Sequence, residues 1–171
     1  MHFTSRTTTA LLIAALAIPT LTACGQTDDK RMAPLLVGFY NLENLYDTID
    51  QPDVDDKEFL PNSANLWNSE RYHRKLHNMA RVISAIGTDV HPDGLAVLGV
   101  SEVENRSVLE DLVRTAPLAD RGWRVVSHEG PDLRGVDVGL LYNPKYFTLL
   151  SQKAYRLTMP DDSTFKTRDQ L

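Results

Sequence analysis

Only one cysteine, Cys24, stands in the 171 residues, so no intramolecular disulfide can staple the chain. Positive charge is in deficit, with 18 Lys and Arg against 23 Asp and Glu and a net charge of −5. A balance of that sign carries no global footprint for nucleic acid, which is an excess of basic residues. It leaves a nuclease open, because bound cations offset acidic sites. No internal repeat and no low-complexity tract interrupts the chain. The acidic run from Asp47 to Glu58 lacks the Asp-x-Asp-x-Asp-Gly spacing and terminal Glu of a calcium loop, and a solvated loop is expected there. What remains is the length and composition of one globular domain with a real core.

The amino terminus is a targeting segment. Arg6 supplies a short positive region, Ala10–Ile18 an apolar stretch too short to span a bilayer, and Pro19-Thr20 a break. Leu21-Thr22-Ala23-Cys24 resembles a bacterial lipobox, in which the cysteine is lipidated and becomes the first mature residue. The alternative is an ordinary secretory signal with a chance cysteine. Residues 1–24 are thus expected to be a lipoprotein signal peptide, 25–34 a polar tether, and 35–171 the folded part. An exported lipoprotein anchored to the cell envelope through Cys24 follows. Its maturation removes Arg6 and no acid, taking the net charge to −6.

Two stretches share one pattern. Leu35–Leu42 is almost wholly apolar and ends in Asn41-Leu42-Glu43-Asn44. Gly94–Val100 is apolar or Gly throughout and ends in Ser101-Glu102-Val103-Glu104-Asn105, which predicts a strand buried on both faces. If the two strands are parallel neighbours, Asn41, Glu43 and Glu102 lie on one edge of the sheet, where α/β proteins collect ligands. Glu102 is placed to bind a metal or move a proton; the competing role is to flank a helix start, where negative charge is favoured anyway. Ser107-Val108-Leu109-Glu110 has the spacing of a capping box opening a helix from Val108 to about Thr115.

Between the two strands, Tyr72, Leu76, Met79, Ile83 and Ile86 form the apolar stripe of a helix capped by Asn68 or Ser69 and closed by Gly87. Its other face carries Arg71, His73, Arg74, Lys75, His77 and Arg81, read as a solvated face with phosphate contact as the alternative. Gly122–His128 and Val136–Tyr142 read as strands around a turn-rich loop, Glu129–Gly135. Thr164–Leu171 reads as the start of one more strand, so the chain is expected to be the front part of a larger domain.

Four pieces in this order resemble the endonuclease/exonuclease/phosphatase superfamily. They are Phe39-Tyr40-Asn41-Leu42-Glu43-Asn44-Leu45-Tyr46-Asp47, Pro92-Asp93 with Leu98–Asn105, Arg134–Tyr142, and Thr167-Arg168-Asp169-Gln170-Leu171. Glu58–Pro61 with Trp67, Arg71, Tyr72 and Lys75 is similar to an exported bacterial subgroup. The resemblance implies a layered α/β sandwich of two mixed β-sheets flanked by helices, of which only the first half is present. It implies metal-dependent hydrolysis of phosphoester bonds, with nucleic acid among the substrates. Mg²⁺, or Mn²⁺ as the alternative, would be bound by Glu102 with Glu43 as the second ligand. Asn41 would hydrogen-bond near the attacking water or the phosphate, and Arg134 would contact the phosphate or brace its loop.

Family members also carry an Asn-His motif, a Gly-Asp-Phe-Asn motif and a final Asp-His pair, none of which occurs here. His2, His73, His77, His91 and His128 all stand in other contexts. The expectation is therefore half of an active site. The competing class is a non-catalytic surface lipoprotein that binds a ligand or partner.

Overall fold

A computed structural model of the chain describes residues 33–171, and the signal segment, Cys24 and the tether as far as Met32 lie outside the described residues. Four strands and two α-helices follow in the order β1 (Leu36–Leu45), α1 (Ser69–Ala85), β2 (Leu95–Val103), α2 (Arg106–Arg114), β3 (Arg124–Ser127) and β4 (Asp137–Tyr142). The strands form one mixed sheet, β1-β2-β4-β3. β1 runs parallel to β2, with α1 in the crossover that a parallel pair needs, and β4 runs antiparallel to both β2 and β3. The α/β class holds, and of the two sheets expected the described residues form this one.

α1 begins where the Asn68 side chain accepts the Arg71 N–H at 3.1 Å. Tyr72, Leu76, Met79 and Ile83 of the expected stripe are buried, joined by Ala80, while Ile86 is half-buried at the C-cap and Gly87 takes the left-handed conformation just beyond it. α2 starts earlier than its sequence suggests. Asn105, not Ser107, is the N-cap, its side chain accepting the Val108 N–H at 3.1 Å, and the helix begins at Arg106. Ser107 donates its hydroxyl to the same Asn105 oxygen at 2.8 Å, so it supports the cap rather than forming it. The Tyr72 phenol donates to Asp111 at 2.9 Å and ties the two helices together.

The core lies between the helices and one face of the sheet, where Leu42, Leu45, Leu98, Val100, Val103 and Leu141 meet Leu76, Ile83, Leu109 and Leu112. The opposite face is more open. Val37 and Phe39 on the β1 edge are 71% and 69% exposed, and Val97 and Gly99 of β2 are half-buried. β2 is therefore fully buried on the helix face only, which corrects the expectation of burial on both. A cavity of about 690 Å³ separates Phe39, Gly99 and Leu140 on that open face from Leu149 and the last residues of the chain. The strand expected at Thr164–Leu171 does not form. Gln170 makes only an isolated antiparallel bridge to Tyr155, with N–H···O distances of 2.7 and 2.9 Å.

Candidate active site

The ends of β1 and β2 are adjacent, and both break the regular ladder. Asn41 lies opposite Ser101 and Leu45 opposite Val103, so β1 takes four steps where β2 takes two. Against β4, β2 itself carries one residue more, because Ser101 faces Val138 and Val103 faces Asp137. The residues at these irregularities include both acids. Glu43 (φ 50°), Asn44 (φ 59°) and Glu102 (φ 59°) all sit in the left-handed region, which costs about 1–3 kcal/mol for each non-glycine residue. Bulges of this kind re-aim side chains and recur beside active sites.

Asn41 has half of its side chain committed. Its Oδ1 accepts the Glu43 N–H at 2.7 Å, which fixes the local turn and leaves the amide N–H₂ free to donate. A donor suits a phosphoryl oxygen. Glu43 is exposed and Glu102 half-buried, so both carboxylates reach solvent.

Lys75 departs from the sequence reading, which put it on a solvated helix face. Its ammonium turns toward the sheet and donates to the backbone oxygens of Glu43 at 2.5 Å and Asn44 at 2.9 Å. Burial pulls its pKa down to about 8, against the charges of Glu43 and Glu102, which favour the ammonium. One ammonium thus lies in the field of both predicted metal ligands. Beside it a groove of about 270 Å³ opens between Glu43, Trp67, Arg71 and Arg74. Phosphate contact by the basic face remains available to Arg71 and Arg74, which are exposed.

Arg134 reaches the same corner from the loop before β4. Its backbone oxygen accepts the buried Tyr46 phenol at 2.6 Å, and its guanidinium lies 3.3 Å from Asp132, whose hydrogen bond raises its pKa further. Glu102 adds to that rise through its charge. Tyr46 stacks on Phe59 with ring centroids 4.1 Å apart, and the Trp67 indole N–H donates to the backbone oxygens of Tyr46 and Asp47. Glu104 is 3% exposed and accepts the Asp47 N–H at 2.6 Å, while Asn105 both caps α2 and lies 3.4 Å from the Asp47 carboxylate. Glu104 therefore braces the loop after β1, and Asn105 marks the entry to α2. The acidic run is not wholly solvated, because Asp56 is buried and accepts the Gln51 N–H at 2.8 Å.

The described histidines stay away from this corner. His73 and His77 are exposed on α1, His91 accepts the Asp93 N–H through its ring at 3.1 Å, and His128 lies 4.0 Å from Asp169. Among the described residues no group of three or more His, Cys, Asp and Glu side chains is close enough to hold a metal. Two carboxylates do share one corner, and that is a set Mg²⁺ accepts, because it binds through one or two carboxylates and keeps several waters. Lys75, Tyr46 and Glu104 are the functional-site residues that composition and spacing did not single out. The signal for Lys75 was its place on the helix, one residue before buried Leu76, where a long stem can reach over the apolar stripe.

Comparison with known proteins gives one match. A family model described as "Endonuclease/Exonuclease/phosphatase family" matches residues 36–171. Neither a curated protein nor a solved structure matches the chain.

Proposed function

This chain belongs to the endonuclease/exonuclease/phosphatase family, and from that premise we propose that it carries the metal-binding portion of a Mg²⁺-dependent phosphoesterase. Enzymes of this family hydrolyse phosphoester bonds and generally use divalent metals. One observation carries the reading. Glu43 and Glu102 end neighbouring parallel strands, both in left-handed backbone, and both act on the same ammonium of Lys75.

In this reading Glu102 and Glu43 hold the cation through carboxylate oxygens. The bound cation would offset negative charge on the phosphoryl oxygens and the leaving group. The free amide N–H₂ of Asn41 donates to a phosphoryl oxygen, and Arg134, in the field of Glu102, takes another. Asp132 limits the directions open to the Arg134 guanidinium by holding its Nε. Activation of the attacking water falls to residues outside this set, since no described histidine lies beside Asn41 or Glu102. The Asn-His, Gly-Asp-x-Asn and Asp-His motifs would supply it in a longer form of the protein.

Export and anchoring through Cys24 belong to the same proposal, which places the enzyme on the cell envelope. Nucleic acid, nucleotides, sugar phosphates and phospholipid head groups share the chemistry this corner recognises. The test is phosphodiester hydrolysis by the form that carries the histidine motifs, with and without Mg²⁺. Activity that requires Mg²⁺ and is lost in Glu102→Gln supports the reading. Full activity in Glu102→Gln, or a stop codon directly after Leu171 in the natural reading frame, overturns it.

A further inference from the structure

We propose that Lys75 is a positioning residue of the metal site, which fixes the β1 end so that Glu43 presents its carboxylate beside Glu102. The inference rests on the reading above and goes beyond it to a residue on another element. Lys75 comes from α1, yet its two hydrogen bonds go to the backbone of β1, at the oxygens of Glu43 and Asn44. Those are the two left-handed residues of that strand, and neither is paired in the β1–β2 register. An element that leaves its ladder in a costly conformation needs another source of hydrogen bonds to persist. An ammonium supplies three donors from one point, so two can close on successive carbonyls.

The lysine is itself held. Its Nζ lies 5.5 Å from the centroid of the Trp67 ring, and that ring is anchored by its N–H to the oxygens of Tyr46 and Asp47. The same tryptophan thus fixes the chain just after the strained turn and the side chain that spans the turn. Lys75, Glu43, Asn44 and Trp67 form a clamp whose parts come from a helix, a strand end and the loop between them.

The clamp can be separated from simple electrostatics because the two predict opposite signs. A cation beside Glu43 and Glu102 competes with a divalent metal, so if charge were its whole effect, removing it would tighten metal binding. If Lys75 positions Glu43, removing it weakens binding, as loss of residues that orient metal ligands does by about 10- to 100-fold.

The experiment is Mn²⁺ binding to the 171-residue chain, followed by electron paramagnetic resonance, with amide hydrogen exchange at Asn44 and Leu45 as the metal-free readout. The unaltered chain should bind Mn²⁺, Lys75→Met should bind it about 10- to 100-fold more weakly and exchange faster at those amides, and Lys75→Arg should stay close to the unaltered chain in both. Binding that Lys75→Met leaves unchanged or tightens overturns this proposal and leaves the metal reading standing. Equal loss in Lys75→Met and Lys75→Arg also overturns it, since arginine retains the charge and can donate to both oxygens. No binding by the unaltered chain overturns the metal reading and this proposal with it. Lys75→Gln, compared at an unchanged melting temperature, provides the same comparison if the Met variant does not fold.

Discussion

The phenol of Tyr46 donates to the backbone oxygen of Arg134, 88 residues further along the chain, at 2.6 Å. This bond joins the segment leaving β1 to the loop entering β4, so Arg134 is placed through its main chain. Burial pushes the Tyr46 pKa up, and the phenol stays a neutral donor throughout the physiological range. Tyr46→Phe keeps the stack on Phe59 and removes only the hydroxyl. The expected loss is about 1 kcal/mol in urea unfolding, with weaker binding of inorganic phosphate; unchanged stability would show that the bond contributes nothing.

The N-cap of α2 gives a paired prediction. Asn105→Ala should cost about 1 kcal/mol, because the Val108 N–H loses its acceptor. Ser107→Ala should stay within about 0.5 kcal/mol, since its hydroxyl only donates to the cap. Chemical unfolding of the two variants separates them, and a larger loss at Ser107 would restore the capping box read from the sequence.

Stability should depend on pH through Asp137. The residue is 7% exposed, and burial raises its carboxyl from 3.8 to about 6 even though the Gly130 N–H donates to it. The folded protein then holds the proton more tightly than the unfolded chain does. Its contribution is fully present below pH 3.8 and is lost as the pH rises through about 6. Asp137→Asn should flatten the pH dependence over that window and stabilise the protein at pH 7.5 by about 1–2 kcal/mol. Thermal melts of both forms from pH 4 to 8 measure it, and parallel curves would rule it out.

The proposed anchor at Cys24 carries its own prediction. Cys24→Ala should leave the exported protein without a lipid, and cell fractionation should find it in the soluble fraction. Protein that stays in the membrane would remove Cys24 as the anchor.

Much of this corner was legible because its signals are local in sequence. An apolar run that stops at Asn41 or Ser101 announces a strand end, and the run between them announces the helix that makes a parallel pair feasible. Asn41, Glu43 and Glu102 therefore came together from pattern alone. Lys75 was hidden because helical periodicity assigns a residue to a face and says nothing of how far a four-carbon stem reaches across it. Asp56 was hidden because an acidic run scores as solvated, and the burial of one member depends on how the loop folds back. Thr164–Leu171 reads as a strand by composition, but a strand needs a ladder, and the segment makes a single β-bridge, from Gln170 to Tyr155.

Glu102 interrupts the strand it ends, and this has a consequence for how freely the residue can vary. Successive buried positions on a strand are two residues apart. Yet Val100 is followed by Val103, and Leu42 by Leu45, each pair wholly or almost wholly buried and three residues apart. Each strand therefore slips phase once, and the residue that would otherwise have been carried into the apolar layer is Asn44 in β1 and Glu102 in β2. The sheet could drop one residue there and keep its alternation. Glu102 is supernumerary to the packing, a position the fold carries at a cost in backbone strain and does not fill. The apolar layer does not select this side chain, but its left-handed backbone does, favouring glycine or asparagine over any β-branched residue in its place.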